Sequence, residues 1–104
     1  MKTYNKLIRD NIPQIIESSG KRCQTRILPD REYLKQLDAK LQEELAEYLQ
    51  SGAIEELCDI AEVIRALVLA KGYTLEQFET IRQQKVLTNG AFEQKLFLEW
   101  VDDN

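Results

Sequence analysis

The sequence predicts a mainly α protein, an antiparallel helical bundle with a short N-terminal helix and two short terminal β-strands. Three observations carry that prediction. Apolar residues recur at helical spacing through two long windows, roughly 30–50 and 53–71. Only Ser51-Gly52 separates the windows, and so short a connection makes the two helices antiparallel neighbours. A third window opens on Thr74 with Gln77 three residues later, the spacing of a capping box.

The totals bound the rest. At 104 residues the chain is one domain, 1–104, or one that adds to a modest core by pairing with a copy of itself. Its 43% hydrophobic and 31% charged residues are those of an ordinary globular protein. A net charge of -4 argues against a nucleic-acid polymer as the partner. There is no histidine, and Cys23 and Cys58 form no CxxC pair, which removes the usual zinc sites and Cys-His or Ser-His catalysis. Cys58 reads as a small core residue inside a helix. Lys2, Lys6 and Arg9 interrupt any signal-peptide-like run, and no apolar stretch approaches about 18 residues, so neither a leader nor a membrane span is expected and the cytoplasm is the expected compartment.

Asp10 or Asn11 can cap a first helix with Pro13 in its first turn, carrying Ile12, Ile15 and Ile16 and stopped at Ser18-Ser19-Gly20. Residues 21–28 alternate imperfectly through Cys23, Thr25 and Ile27, as a short strand would. Asp30 is the expected N-cap of a long helix whose stripe is Leu34, Leu37, Leu41, Leu45, Tyr48 and Leu49. The next helix, Ala53 to Lys71, carries Ile54, Leu57, Ile60, Ala61, Ile64, Leu67 and Val68 and becomes apolar nearly all round after Ala66, the pattern of a central or interface helix. The helix from Thr74 uses Leu75, Phe78, Ile81 and Val86 and ends near Asn89-Gly90. Leu96, Leu98 and Trp100 then alternate as a terminal strand able to pair with 21–28, and Asp102-Asp103-Asn104 reads as a frayed tail.

Function is concentrated between Glu43 and Glu62. That stretch holds seven carboxylates and neither Lys nor Arg. Like charges at helical spacing recur at Glu43/Glu47, Glu44/Glu47, Glu55/Asp59, Glu56/Asp59 and Asp59/Glu62, each pair opposing the helix by about 0.2–0.5 kcal/mol. At about 100° per residue Glu44 and Glu47 lie roughly 60° apart, with Glu44 bordering the apolar stripe, and Glu56 and Asp59 repeat that spacing on the next helix. Glu56 falls inside the apolar sector between Ile60, Val63 and Leu67. A carboxylate there is costly to desolvate unless it is paired or metal-bound. Folding across Ser51-Gly52 brings Glu44, Glu47, Glu56 and Asp59 to similar depth, an all-oxygen set suited to Mg²⁺ or Mn²⁺. The plainer alternative is a solvated acidic face on a metal-free interaction protein.

At these residues the chain resembles the MazG-like all-α nucleoside triphosphate pyrophosphohydrolases, a superfamily with phosphoribosyl-ATP pyrophosphohydrolase relatives. Its EExxE…ExxD motif stands here as Glu43-Glu44-Leu45-Ala46-Glu47 and Glu56-Leu57-Cys58-Asp59, with a short gap of eight residues between the halves. Tyr4-Asn5-Lys6-Leu7-Ile8-Arg9-Asp10-Asn11-Ile12-Pro13 is similar to the YNKLVRDKIP opening of a small single-domain subgroup. The run Gln84-Lys85 to Gly90-Ala91-Phe92 resembles that subgroup's K…RGGF segment, with Asn89 and Ala91 as departures. The resemblance implies helices carrying Mg²⁺ on carboxylates, hydrolysis of an NTP or dNTP to the monophosphate and pyrophosphate, and assembly as dimers or tetramers with sites near subunit interfaces.

On that reading Glu43, Glu44, Glu47, Glu56 and Asp59 form the catalytic set. Of these, Glu44, Glu47, Glu56 and Asp59 are metal ligands, and Glu62 is either a fifth ligand or an exposed acid. Without histidine, the base that activates water is a carboxylate or a metal-bound hydroxide. Lys6, Arg9 and Lys85 are candidate phosphate contacts, each with the alternative of an ordinary surface base. A competing class is a helical module of the same fold that binds a nucleotide or a protein without turnover, a reading the altered Asn89 and Ala91 encourage.

Overall fold

The computed structural model describes residues 1–103; Asn104, the end of the expected tail, lies outside them. Its regular elements are all helical: α1 (Ile12–Ser18), α2 (Asp30–Ser51), α3 (Ile54–Ala70) and α4 (Leu75–Asn89). The chain divides into two compact units, Met1–Tyr73 and Thr74–Asn104. No helix among the described residues is long and apolar enough to cross a membrane.

The first unit is built on the α2–α3 hairpin, whose helices pack on each other. The connection is as short as the sequence requires. Gly52 closes α2 in the left-handed region at φ +67°, and its N–H donates to Tyr48 O at 2.7 Å. Ser51 Oγ accepts from Ala53 N–H at 3.2 Å, and α3 begins one residue later. Glu55 and Glu56 occupy the first turn of α3, where the positive end of the helix dipole favours acids. α1 forms as expected, with Pro in its first turn, although Asn11 makes no side-chain cap. α2 starts after Pro29, so Asp30 is its first residue rather than its cap.

Both long helices are rotated relative to the expected stripes. On α2 the inward line is Leu37, Lys40, Leu41, Glu44 and Tyr48, while Leu45 and Leu49 are 48% and 72% exposed. On α3 it is Glu56, Asp59, Ile60, Val63 and Leu67, which leaves Ile54, Leu57 and Ile64 exposed. Cys58 is exposed rather than in the core, because it sits off this line. The buried apolar side chains among the described residues are Leu37, Val63 and Val68. Glu44 is buried with them.

In the second unit, α4 opens with a complete capping box. Thr74 Oγ1 accepts from Gln77 N–H at 3.0 Å, and Gln77 Oε1 accepts from Thr74 N–H at 2.9 Å. Its expected inner residues Leu75, Phe78, Ile81 and Val86 are exposed. The two expected strands do not form: the described residues contain no strand, and 21–28 and 96–101 run without a hydrogen-bonded ladder. Alternation supplies only a face, and a strand also needs a backbone partner. The first run is instead tied by its side chain, with Arg26 Nη2 donating to Glu32 Oε1 at 2.6 Å at the start of α2.

Candidate metal centre

The hairpin lays α2 against α3 so that Glu44, eight residues before Gly52, meets Asp59, seven residues after it. Glu56, one turn before Asp59, completes a cluster in which one carboxylate oxygen from each of Glu44, Glu56 and Asp59 lies within 4.8 Å of the others. A hard divalent cation holding oxygens at about 2.1–2.5 Å spans separations of this size.

Glu44 carries the argument. Its residue is 6% exposed. Lys40, one turn earlier on α2, places Nζ 3.5 Å from Glu44 Oε1. The other oxygen, Oε2, is buried and has no hydrogen-bond partner among the described residues. A buried acceptor left in this state costs about 1–3 kcal/mol, more when charged. Burial raises the Glu44 pKa, and the neighbouring Glu47 carboxylate adds to that shift. Two further acids lie near it, so the three carboxylates together could hold a cation.

The rim is ion-paired. Lys6 Nζ donates to Glu43 Oε1 at 3.0 Å, and Lys40 Nζ donates to Glu43 Oε2 at 3.3 Å. Partial burial works to raise the Glu43 pKa, but these two hydrogen bonds outweigh it and the net shift is downward. Lys6 is shifted upward, chiefly by its hydrogen bond to Glu43 and then by attraction to it. Arg9 Nη2 donates to Asp59 Oδ1 at 2.7 Å. Five carboxylates (Glu43, Glu44, Glu47, Glu56, Asp59) thus face three cations (Lys6, Arg9, Lys40).

Three of the four predicted ligands are therefore brought together. Glu47 is exposed beside Glu44 and is not one of the three. Glu62 is exposed and lies 3.9 Å from Arg65 Nη1. Glu55 is exposed at the start of α3. Lys6 and Arg9 meet the cluster itself, and Lys85 belongs to α4 in the second unit. Sequence reasoning missed Lys40, although its spacing of three and four residues before Glu43 and Glu44 is the ordinary signal for helical ion pairs.

No family model matches the chain, and no solved structure matches it. An uncharacterized protein of Mycolicibacterium smegmatis is 54% identical over 41 residues, 39% of this chain. That stretch is 42% of the relative, so the match spans less than half of either protein.

Proposed function

We propose that the chain is a Mg²⁺-dependent nucleoside triphosphate pyrophosphohydrolase of the MazG-like helical-bundle type, with Mn²⁺ as an alternative ion. The observation that supports it is Glu44, whose Oε2 is buried without a hydrogen-bond partner among the described residues and whose carboxylate offers an oxygen within 4.8 Å of one each from Glu56 and Asp59. Glu44, Glu56 and Asp59 hold the ion. The ion, when bound, neutralises phosphate charge and activates the scissile linkage. Glu47, exposed at the edge of the cluster, takes the proton of the attacking water. The water oxygen bonds to the α-phosphorus, the α–β phosphoanhydride bond breaks, and pyrophosphate leaves. Glu43, paired with both Lys6 and Lys40 in the metal-free chain, holds Lys40 at the rim.

The working form on this reading is a cytoplasmic homodimer or tetramer. The exposed Leu45, Leu49, Ile54, Leu57 and Ile64 support it, because a chain with so few buried apolar residues gains core by covering them. The test is a panel of NTPs and dNTPs with Mg²⁺ or Mn²⁺, read as pyrophosphate release. Release from at least one nucleotide is expected, and none across the panel overturns the enzymatic reading. Calorimetric binding without product then points to a nucleotide-binding module, the reading that Asn89 and Ala91 favour.

A further inference from the structure

The N-terminal segment ahead of α1 reaches the acidic cluster with two cations. Its two cations reach different helices: Lys6 pairs with Glu43 on α2, 37 residues away, and Arg9 with Asp59 on α3, 50 residues away. Asn5 turns the chain between Tyr4 and Lys6 with φ +48°, a left-handed conformation that asparagine tolerates better than most residues. Lys2 and Lys6 lie 5.1 and 5.8 Å from the centre of the Tyr4 ring. The segment is thus a basic strap held by side chains rather than by backbone hydrogen bonds to the hairpin.

One of its anchors is also a metal-ligand candidate. Arg9 grips Asp59 through a single 2.7 Å bond, with the arginine side chain 53% exposed and the aspartate 38% exposed. An ion pair this open is weak and exchangeable. The guanidinium has five N–H donors in all, and the bond to Asp59 leaves most of them for another acceptor.

We infer that the strap is a counter-ion switch: Lys6 and Arg9 neutralise the acidic cluster before metal enters, are displaced from Glu43 and Asp59 as the divalent ion binds, and then close on the phosphates of the metal-bound polyphosphate. The inference rests on the metal-centre reading above. It assigns to one segment two alternating electrostatic partners, carboxylate and phosphate. Metal and strap compete for Asp59, whereas phosphate and strap attract each other.

The two ligands therefore respond oppositely to loss of the strap's charge. Calorimetry of the full chain with Mn²⁺ alone is expected to show Arg9→Ala and Lys6→Met binding the ion about two- to fivefold more tightly than the wild type, the scale of an exposed ion pair. The same variants bind Mg²⁺–tripolyphosphate more weakly, by about tenfold for Arg9→Ala, a charge-assisted contact to phosphate. Trypsin supplies a readout of position: Mg²⁺ accelerates cleavage after Lys6 and Arg9 relative to Lys21 and Arg22, and added tripolyphosphate restores protection. If Arg9→Ala loosens Mn²⁺, Arg9 orients Asp59 as a ligand and the switch is overturned while the metal centre stands. Unchanged Mn²⁺ affinity with unchanged cleavage also overturns the switch alone. No Mn²⁺ binding by the wild type overturns both readings.

Discussion

Lys40 Nζ lies 3.5 Å from Glu44 Oε1 and leaves Glu44 Oε2 buried without a partner among the described residues. The carboxylate is half served, and the consequence is a pH dependence of unusual sign. Burial and Glu47 raise the Glu44 pKa above the ordinary value of 4.5. A folded-state pKa above the unfolded one means the folded chain binds more protons. The stabilisation is complete below about pH 4.5 and is lost as pH rises through the raised pKa. Metal-free protein is expected to melt progressively lower across that window. Glu43, whose pKa is lowered, contributes the opposite limb at lower pH. Saturating Mg²⁺ removes the upper limb, which thermal scans from pH 4 to 8 with and without the ion will check.

Glu44→Leu separates stability from metal binding. Leucine fits the apolar line of Leu37, Leu41 and Tyr48 and deletes the unpartnered oxygen. Removing a buried unsatisfied acceptor is worth about 1 kcal/mol or more, or roughly 4–8 °C of melting temperature in a small domain. The metal-free variant should melt higher than the wild type. It should also lose the Mg²⁺-induced shift, because the cluster keeps only Glu56 and Asp59. A variant that melts lower and still responds to Mg²⁺ refutes the role given to Glu44.

Glu56→Gln and Asp59→Asn test turnover. Both replace a ligand oxygen's charge while keeping the side chain's shape. They should lower pyrophosphate release by at least about 100-fold, the loss that follows when transition-state charge stabilisation is removed. Circular dichroism should stay helical; metal-free melting should hold or rise in Glu56→Gln as like-charge repulsion is relieved, while Asp59→Asn also gives up its exposed ion pair with Arg9. Glu55→Gln, on an exposed acid outside the cluster, serves as the control and should keep its activity.

The helices were legible because periodicity, Gly52 and the Thr74–Gln77 box are local signals, and each forms where the residues place it. The phase of the hairpin was harder to read. The expected α2 stripe of Leu34, Leu37, Leu41, Leu45, Tyr48 and Leu49 includes Leu45 and Leu49, whereas the helix turns Leu37, Leu41, Glu44 and Tyr48 inward and leaves those two exposed. Periodicity puts Glu44 at the border of that face and among the ligands, but nothing local says that the acid is the buried side chain and Leu45 the exposed one. Cys58 was misplaced by the same rotation. The strands failed for a different reason, since pairing is non-local and alternation in 21–28 names no partner. The pairs Lys6–Glu43 and Arg9–Asp59 span 37 and 50 residues, beyond any spacing rule.

Gly52 sets the geometry on which the cluster depends. It sits at φ +67°, and a Cβ built there meets nothing within 4 Å, so substitution carries a backbone cost without a steric one. Gly52→Ala should destabilise the protein by about 1 kcal/mol, the left-handed penalty for an L-residue, and lower the melting temperature by roughly 4–8 °C. Gly52→Asn should recover part of that loss, because asparagine accepts this conformation more readily. Both variants retain Glu44, Glu56 and Asp59. If the hairpin reforms, Mn²⁺ affinity stays near the wild-type value while stability falls. If the altered turn shifts α2 along α3, affinity falls with stability in Gly52→Ala and recovers in Gly52→Asn. Parallel calorimetry and thermal scans on the two variants distinguish a turn that only closes the hairpin from one that also sets the register of Glu44 against Asp59.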